Sequence, residues 1–381
     1  MPKVNKVTTP HAKPPKRRIF ELDLLRGFFI CVIILDHLQF WPSPLQYLTG
    51  QGRLWVSAAE GFFLISGLLI GYLRAYKGAK TPLRDLTKIL LSRAAMLYIW
   101  CVIITFIAFA LASLMPGGGA LLPKFPAVEH ITSLPVYIWN VLIMNQASDW
   151  IYFLRLYAIM LAVTPVFLWL LRKGYWLVAL GASVGIYAAS LLFELSDPTL
   201  QWQVLFFGAA LIGWKFEAIM GWLRIRPRVR LGIIVGLIAV TLSTMVLSYF
   251  MVHGWKIVES TVTPITRESY VSIRGHVDPW FSNNPMMVSR LALSYVWFGG
   301  LLALFHILRK WLMKYAGWLL LTFGQGSLTA YCLQAIVLIP IVTFVPFSEA
   351  NYWLNGIIGI VVILFIYALM RIPLVQKILP R

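Results

Sequence analysis

Apolar runs of about 18 residues or more recur along this chain, long enough to cross the roughly 30 Å hydrocarbon core of a bilayer as a helix. Hydrocarbon offers the backbone no hydrogen-bond partner, so such runs fold as helices that satisfy their own polar groups. Composition points the same way. The chain is 60% hydrophobic and 12% charged, where a soluble domain carries about a quarter charged residues. Its mean hydropathy is +0.78, and its 16 Trp and 16 Tyr suit the lipid–water boundary. The expected class is an all-α polytopic membrane protein.

The apolar runs predict ten spans, at 20–40, 55–74, 94–114, 151–171, 175–193, 201–217, 231–252, 288–308, 317–345 and 352–371. The run at 136–144 is too short to cross. Three domains of organisation are expected: a basic, disordered tail over 1–18, one membrane domain over 19–373, and a short basic tail over 374–381. The basic start followed by a span reads as a retained signal anchor. The net charge of +19 would suggest nucleic acid if it formed one patch, but the basic residues fall between apolar runs. Threading from a cytoplasmic N-terminus puts 26 of the 33 Lys and Arg on the inner side; the other seven are Arg53, Lys124, Arg155, Lys256, Arg267, Arg274 and Arg290. That asymmetry predicts both termini on the cytoplasmic side. It also leaves two sizeable outer loops, 115–150 and 253–287.

Ionisable residues inside spans are expensive, so each asks for a reason. Arg26 and His37 are eleven positions apart, which returns a helix to nearly the same face about 16 Å further along. Glu60 in the second span and Arg155 in the fourth fall at about the depth of His37. The three are expected to share a polar pocket in the outer half of the bundle. For Glu60 and Arg155, a hydrogen-bonded network that only holds helices together is an equally good reading. Asp36 points about 100° away from His37, toward Arg155 or the boundary. Gly67 and Gly71 have the spacing that lets helices approach closely. The span at 317–345 carries Thr322, Gln325, Ser327, Thr329, Tyr331 and Gln334, too polar a set for a lipid-facing helix, so it should face a cavity or contact other helices.

Other chemistries find little support. No HExxH, Walker loop, CxxC or GxSxG occurs. The three cysteines all lie in apolar runs, which argues against disulfides and thiolate metal sites. His253, His276 and Asp278 match no metal-site spacing, so no metal is expected. "PGGGAL" (116–121) reads as a flexible outer loop.

"ELDLLRGFFICVIILDH" resembles the first helix of the OpgC-like proteins, which belong with the membrane acyltransferase-three superfamily. That superfamily is marked by an Arg and a His separated by ten residues, as Arg26 and His37 are. "SAAEGFFLISGLLIGY", "LRLYAIMLAVTPVFLWLLRKG", "WQVLFFGAALIGW" and "GQGSLTAYCLQ" are similar to later helices of the same family, in the same order over roughly 20–335. One departure is Gln334, where the late helix often has a His. The resemblance implies O-acyl transfer, of a succinyl or acetyl type group, from cytoplasmic acyl-CoA to a hydroxyl of an extracytoplasmic glycan or envelope polymer. Members of the family succinylate osmoregulated periplasmic glucans.

On that reading His37 is the base, supported by Glu60 or Asp36. Arg26 contacts the donor, and Arg155 or Arg290 holds a carboxylated acyl group or anionic acceptor, with Gln325 and Gln334 lining the path. A multi-pass location in the plasma (inner) membrane, contact with membrane lipid and a homodimer are further expectations, with no nucleic-acid partner. The rival class is a transporter or flippase for a polar lipid or solute, using the same His, Glu and Arg cluster. It has no inverted repeat to support it.

Overall fold

The computed structural model describes residues 19–114, 133–148, 150–195, 197–260, 265–345 and 348–380. The tail over 1–18 and the glycine run at 116–121 lie outside these. Among the described residues the regular elements are helices, and the strand-like feature is an isolated bridge between Asn283 and Met286. The main helices are α1 (Phe20–Leu38), α2 (Ala58–Ile70, continued as a π-helix to Tyr76), α3 (Leu83–Ser113), α4 (Tyr152–Arg172), α5 (Trp176–Leu192), α6 (Pro198–Trp214), α7 (Pro227–His253), α8 (Val288–Tyr315), α9 (Gly317–Gln325), α10 (Ser327–Phe344) and α11 (Tyr352–Arg371).

Each expected span falls on helix, with two breaks. The sixth (201–217) is interrupted at Lys215, and the ninth divides at Gly326 into α9 and α10. By length and hydropathy alone, seven helices qualify as spans, and eight if α6 and Phe216–Arg224, bent by 55°, count as one. That is fewer than ten for physical reasons. α1 carries Glu21, Asp23, Arg26 and Asp36, and α5 is only 17 residues long. The short run at 136–144 forms a nine-residue helix, Leu134–Leu142. The segment 253–287 is partly helical, with Trp255–Ser260 and Arg267–Val277.

α1 is the central strut. It touches α2, α8, α9, α10 and α11, and most of its side chains are buried. Glu21 and Asp23 in its first turn suit the positive end of the helix dipole. Glu21 also joins α1 to α8, accepting from Arg309 Nη1 at 3.1 Å and lying 3.1 Å from His306 Nδ1. α7, by contrast, is peripheral and packs mainly on α8. Among the described residues, the start of α1 and Pro380 lie at one end of the bundle: Thr329, two residues after Ser327 beside Arg26, donates to the carbonyl of Pro380 at 2.6 Å.

One very close helix contact is between α2 and α6. A Cβ at Gly67 would lie 2.0 Å from the Phe206 carbonyl, and one at Gly71 would lie 1.9 Å from that of Ala210. From the other side, a Cβ at Gly213 would meet the Leu68 carbonyl at 2.1 Å. The backbones touch, as small residues at four-residue spacing permit. Gly67→Leu is therefore expected to destabilise the detergent-solubilised protein by at least about 1–3 kcal/mol, the usual cost of overpacking. Gly181→Ala, with nothing within 4 Å, is expected to melt at the parent temperature. Thermal unfolding of both variants checks this.

Candidate active site

His37 sits in the last turn of α1, just before Gln39 ends the helix in the left-handed conformation. Its Nδ1 is 2.9 Å from Oε1 of Gln334 on α10. The Gln334 amide nitrogen faces the Trp150 carbonyl at 3.3 Å. A carbonyl only accepts, so this contact orients the amide with its oxygen toward the histidine. Nδ1 then carries the proton, which makes Nε2 the basic nitrogen of the neutral ring. Trp150 stacks near the imidazole, with centroids 6.3 Å apart and planes 20° apart, and Tyr331 meets it edge-on at 6.5 Å.

His37 opens onto a cavity of about 250 Å³, also lined by Tyr152, Trp202, Asn283 and Asn284. A second cavity, of about 70 Å³, lies beside Arg26 with Ser66, Arg93, Tyr157 and Ser327. Phe153 and Tyr331 line both cavities, and their rings are 5.6 Å apart. The two spaces therefore share one aromatic wall. This follows from the α1 pattern. Arg26, Ile33 and His37 form one helical stripe, and all three line this pair of cavities. Arg26 makes no hydrogen bond or ion pair with the described residues, and Arg93 is exposed at the surface.

The structure does not bring His37, Glu60 and Arg155 into one pocket. Glu60 is fully buried and pairs with Arg290, whose Nε is 2.5 Å from Oε1. Its other oxygen accepts from the Ser57 amide at 3.0 Å and from the Ser57 hydroxyl. Glu60 is thus the third residue of a capping box at the start of α2, joined to α8 through Arg290. Arg155 bonds Oδ2 of Asp197 at 2.9 Å and the Tyr152 hydroxyl at 3.4 Å. It lines neither cavity, but it holds Tyr152 and the Asp197–Pro198 start of α6, two parts of the His37 cavity wall. Arg290 also donates to the Phe281 carbonyl at 3.0 Å.

Asp36 lies on the next stripe of α1, with Phe28, Phe29 and Val32, and lines a different cavity, of about 60 Å³. It does not line the His37 cavity. Gln325 is exposed at the end of α9 and lines neither cavity, whereas Gln334 touches the histidine directly. Among the described residues no group of three or more His, Cys, Asp or Glu is placed to hold a metal.

Several site residues had no expectation attached. Trp150, Tyr152 and Trp202 read as boundary or core aromatics, Arg93 as an inner-loop charge, and Asn283 and Asn284 as loop residues. Tyr331 did carry a signal, as part of the unusually polar α10 sequence.

A family model described as OpgC protein matches residues 18–375, nearly the whole chain. The chain belongs to the OpgC family. No curated protein and no solved structure matches it. In this OpgC family member, the buried pair at the start of α2, the histidine–glutamine contact and the Arg155–Asp197 bridge are polar joints around the cavity.

Replacing one partner of the buried pair isolates the other charge. Arg290→Met is expected to cost about 3–5 kcal/mol, as broken buried ion pairs do. Adding Glu60→Gln is expected to recover much of that loss. Thermal melting of the single and double variants in detergent measures the difference.

Proposed function

We propose that this chain is an integral membrane acyltransferase that moves a succinyl or acetyl type group from cytoplasmic acyl-CoA to a hydroxyl of an extracytoplasmic glycan or envelope polymer. The observation that carries the reading is the pairing of Arg26 and His37 on one stripe of α1, each lining one of two cavities that meet at Phe153 and Tyr331. The charge asymmetry of the sequence supports the Arg26 end as the cytoplasmic one, in a multi-pass protein of the plasma membrane.

On this reading the donor approaches the Arg26 end. Arg26 makes no hydrogen bond or salt bridge with the described residues, although Asp23 one turn away acts on its charge, and its planar guanidinium suits a phosphate of CoA. Arg93 adds a second cation at the same cavity. The pantetheine arm then carries the thioester past Phe153 and Tyr331 toward His37. The acceptor hydroxyl enters the His37 cavity from the other side.

The chemistry needs one proton shuttle. As the hydroxyl oxygen attacks the thioester carbonyl carbon, the imidazole takes the hydroxyl proton as general base. Collapse of the tetrahedral intermediate breaks the carbon–sulfur bond. The imidazolium returns the proton to the departing thiolate, giving the acylated glycan and CoA thiol. Gln334 holds the ring in the tautomer that this requires, the task an acid performs in a Ser-His-Asp triad. A neutral amide stabilises the imidazolium less than a carboxylate does, so Gln334 positions the ring and adds little electrostatic help.

His37→Ala is expected to lower acyl-CoA-dependent acylation of the glycan by about 10²–10⁴-fold, the usual contribution of a general base. Gln334→Leu should lower kcat less, and Arg26→Met should raise the KM for acyl-CoA. Release of CoA thiol by protein in proteoliposomes, with mass spectrometry of the glycan, reads all three. Undiminished acylation by His37→Ala would exclude the catalytic role. Loss of solute or lipid movement without loss of acylation would favour a transporter.

A further inference from the structure

We infer that Asn283 and Asn284, with the rings of Tyr152 and Trp202, form an acceptor subsite for an uncharged sugar unit, built on the segment between Arg267–Val277 and α8. The inference rests on the acyltransferase reading and specifies what its acceptor end recognises.

The segment is fixed by contacts to four different parts of the bundle. Phe281 stacks on Trp55 with centroids 4.1 Å apart and planes 10° apart, and its carbonyl accepts from Arg290 at 3.0 Å. Met286 is fully buried. Its amide donates to Oε1 of Gln201 on α6 at 2.7 Å, and its carbonyl accepts from the Tyr187 hydroxyl of α5 at 2.7 Å. A bridge links Asn283 to Met286. Two side chains between these anchors, Asn283 and Asn284, are exposed yet line the His37 cavity. Neither side-chain amide bonds to another described residue. Polar groups held on an anchored backbone, with their own bonding capacity unspent, suit ligand recognition.

The chemistry of the cavity selects the ligand class. Each asparagine amide offers two donors and an acceptor, which matches a hydroxyl that both gives and takes a hydrogen bond. Tyr152 and Trp202 add aromatic surface to the same wall, of the kind on which the C–H face of a sugar packs. Apart from His37, no lining side chain carries a charge, so an anionic unit would enter without a partner and pay its desolvation. The volume of about 250 Å³ is below the range of about 300–1,000 Å³ for drug-sized ligands and fits about one sugar unit at a time. The Glu60–Arg290 pair gains a purpose from this: through Arg290 it connects the start of α2 to the ledge that carries the two asparagines.

The test is binding, read separately from transfer. Titration of the full-length protein in detergent with a neutral β-glucan oligosaccharide and with its carboxymethylated counterpart measures recognition. The double variant Asn283→Ala/Asn284→Ala, altered only at exposed positions, is expected to keep the parent melting temperature and the parent affinity for acyl-CoA. Its affinity for the neutral oligosaccharide should fall by about tenfold or more, the equivalent of about 1.4 kcal/mol, and the acceptor KM should rise with it. The carboxymethylated sugar should bind the parent more weakly than the neutral one. Equal glucan affinity in parent and double variant, no saturable glucan binding by the parent, or tighter binding of the carboxymethylated sugar would each overturn the subsite. Failure of the acyltransferase reading shows differently: asparagine-dependent glucan binding by a parent protein that does not acylate.

Discussion

A helix that carries ionisable groups into the middle of a bundle must find their partners within the protein, because lipid supplies none. α1 meets that constraint at three heights, and the rest of the fold follows from how it does so. Glu21 joins α8 through His306 and Arg309. His37 joins α10 through Gln334. Between them Arg26 faces a cavity and makes no hydrogen bond or salt bridge with the described residues. The first two contacts bind the strut to its neighbours, and the third places a positive charge at a cavity wall. Structure and chemistry meet in that arrangement: the groups that cost most to bury are placed either to join helices or to face a cavity.

Much of this was legible in the sequence because helical geometry is regular. Eleven residues return a helix to one face, so the common stripe of Arg26 and His37 could be read directly, and so could the turn of Asp36 away from it. Gln334 was legible too, as one of several polar residues in a segment that had no business facing lipid. The small-residue spacing of Gly67 and Gly71 anticipated a close contact, and its partner proved to be α6, through the carbonyls of Phe206 and Ala210.

What depth along a helix does not give is rotation about neighbouring axes. Glu60 and Arg155 were placed near His37 by depth, and each instead pairs elsewhere. For Glu60 the signal was present: Ser57 and Glu60 have the capping-box spacing, which ties the carboxylate to its own helix start. Arg155 finds Asp197, a residue at the N-cap of α6 that reads as a loop acid in the sequence. The break at Gly326 and the inward placement of Asn283 and Asn284 depend on tertiary anchors such as Trp55, Gln201 and Tyr187. Sequence periodicity does not encode those contacts.

The central claim of the proposed function is that the Arg26 and His37 cavities, which share Phe153 and Tyr331 as lining, are the two ends of one path across the bundle. An experimental structure of the protein with a non-hydrolysable acyl-CoA analogue tests it most directly. The account predicts the phosphates beside Arg26 and Arg93, the pantetheine arm between Phe153 and Tyr331, and the acyl carbonyl at His37. A donor bound instead in the Asp36 cavity, or held wholly on the Arg26 side with the Phe153–Tyr331 wall unmoved, would contradict it.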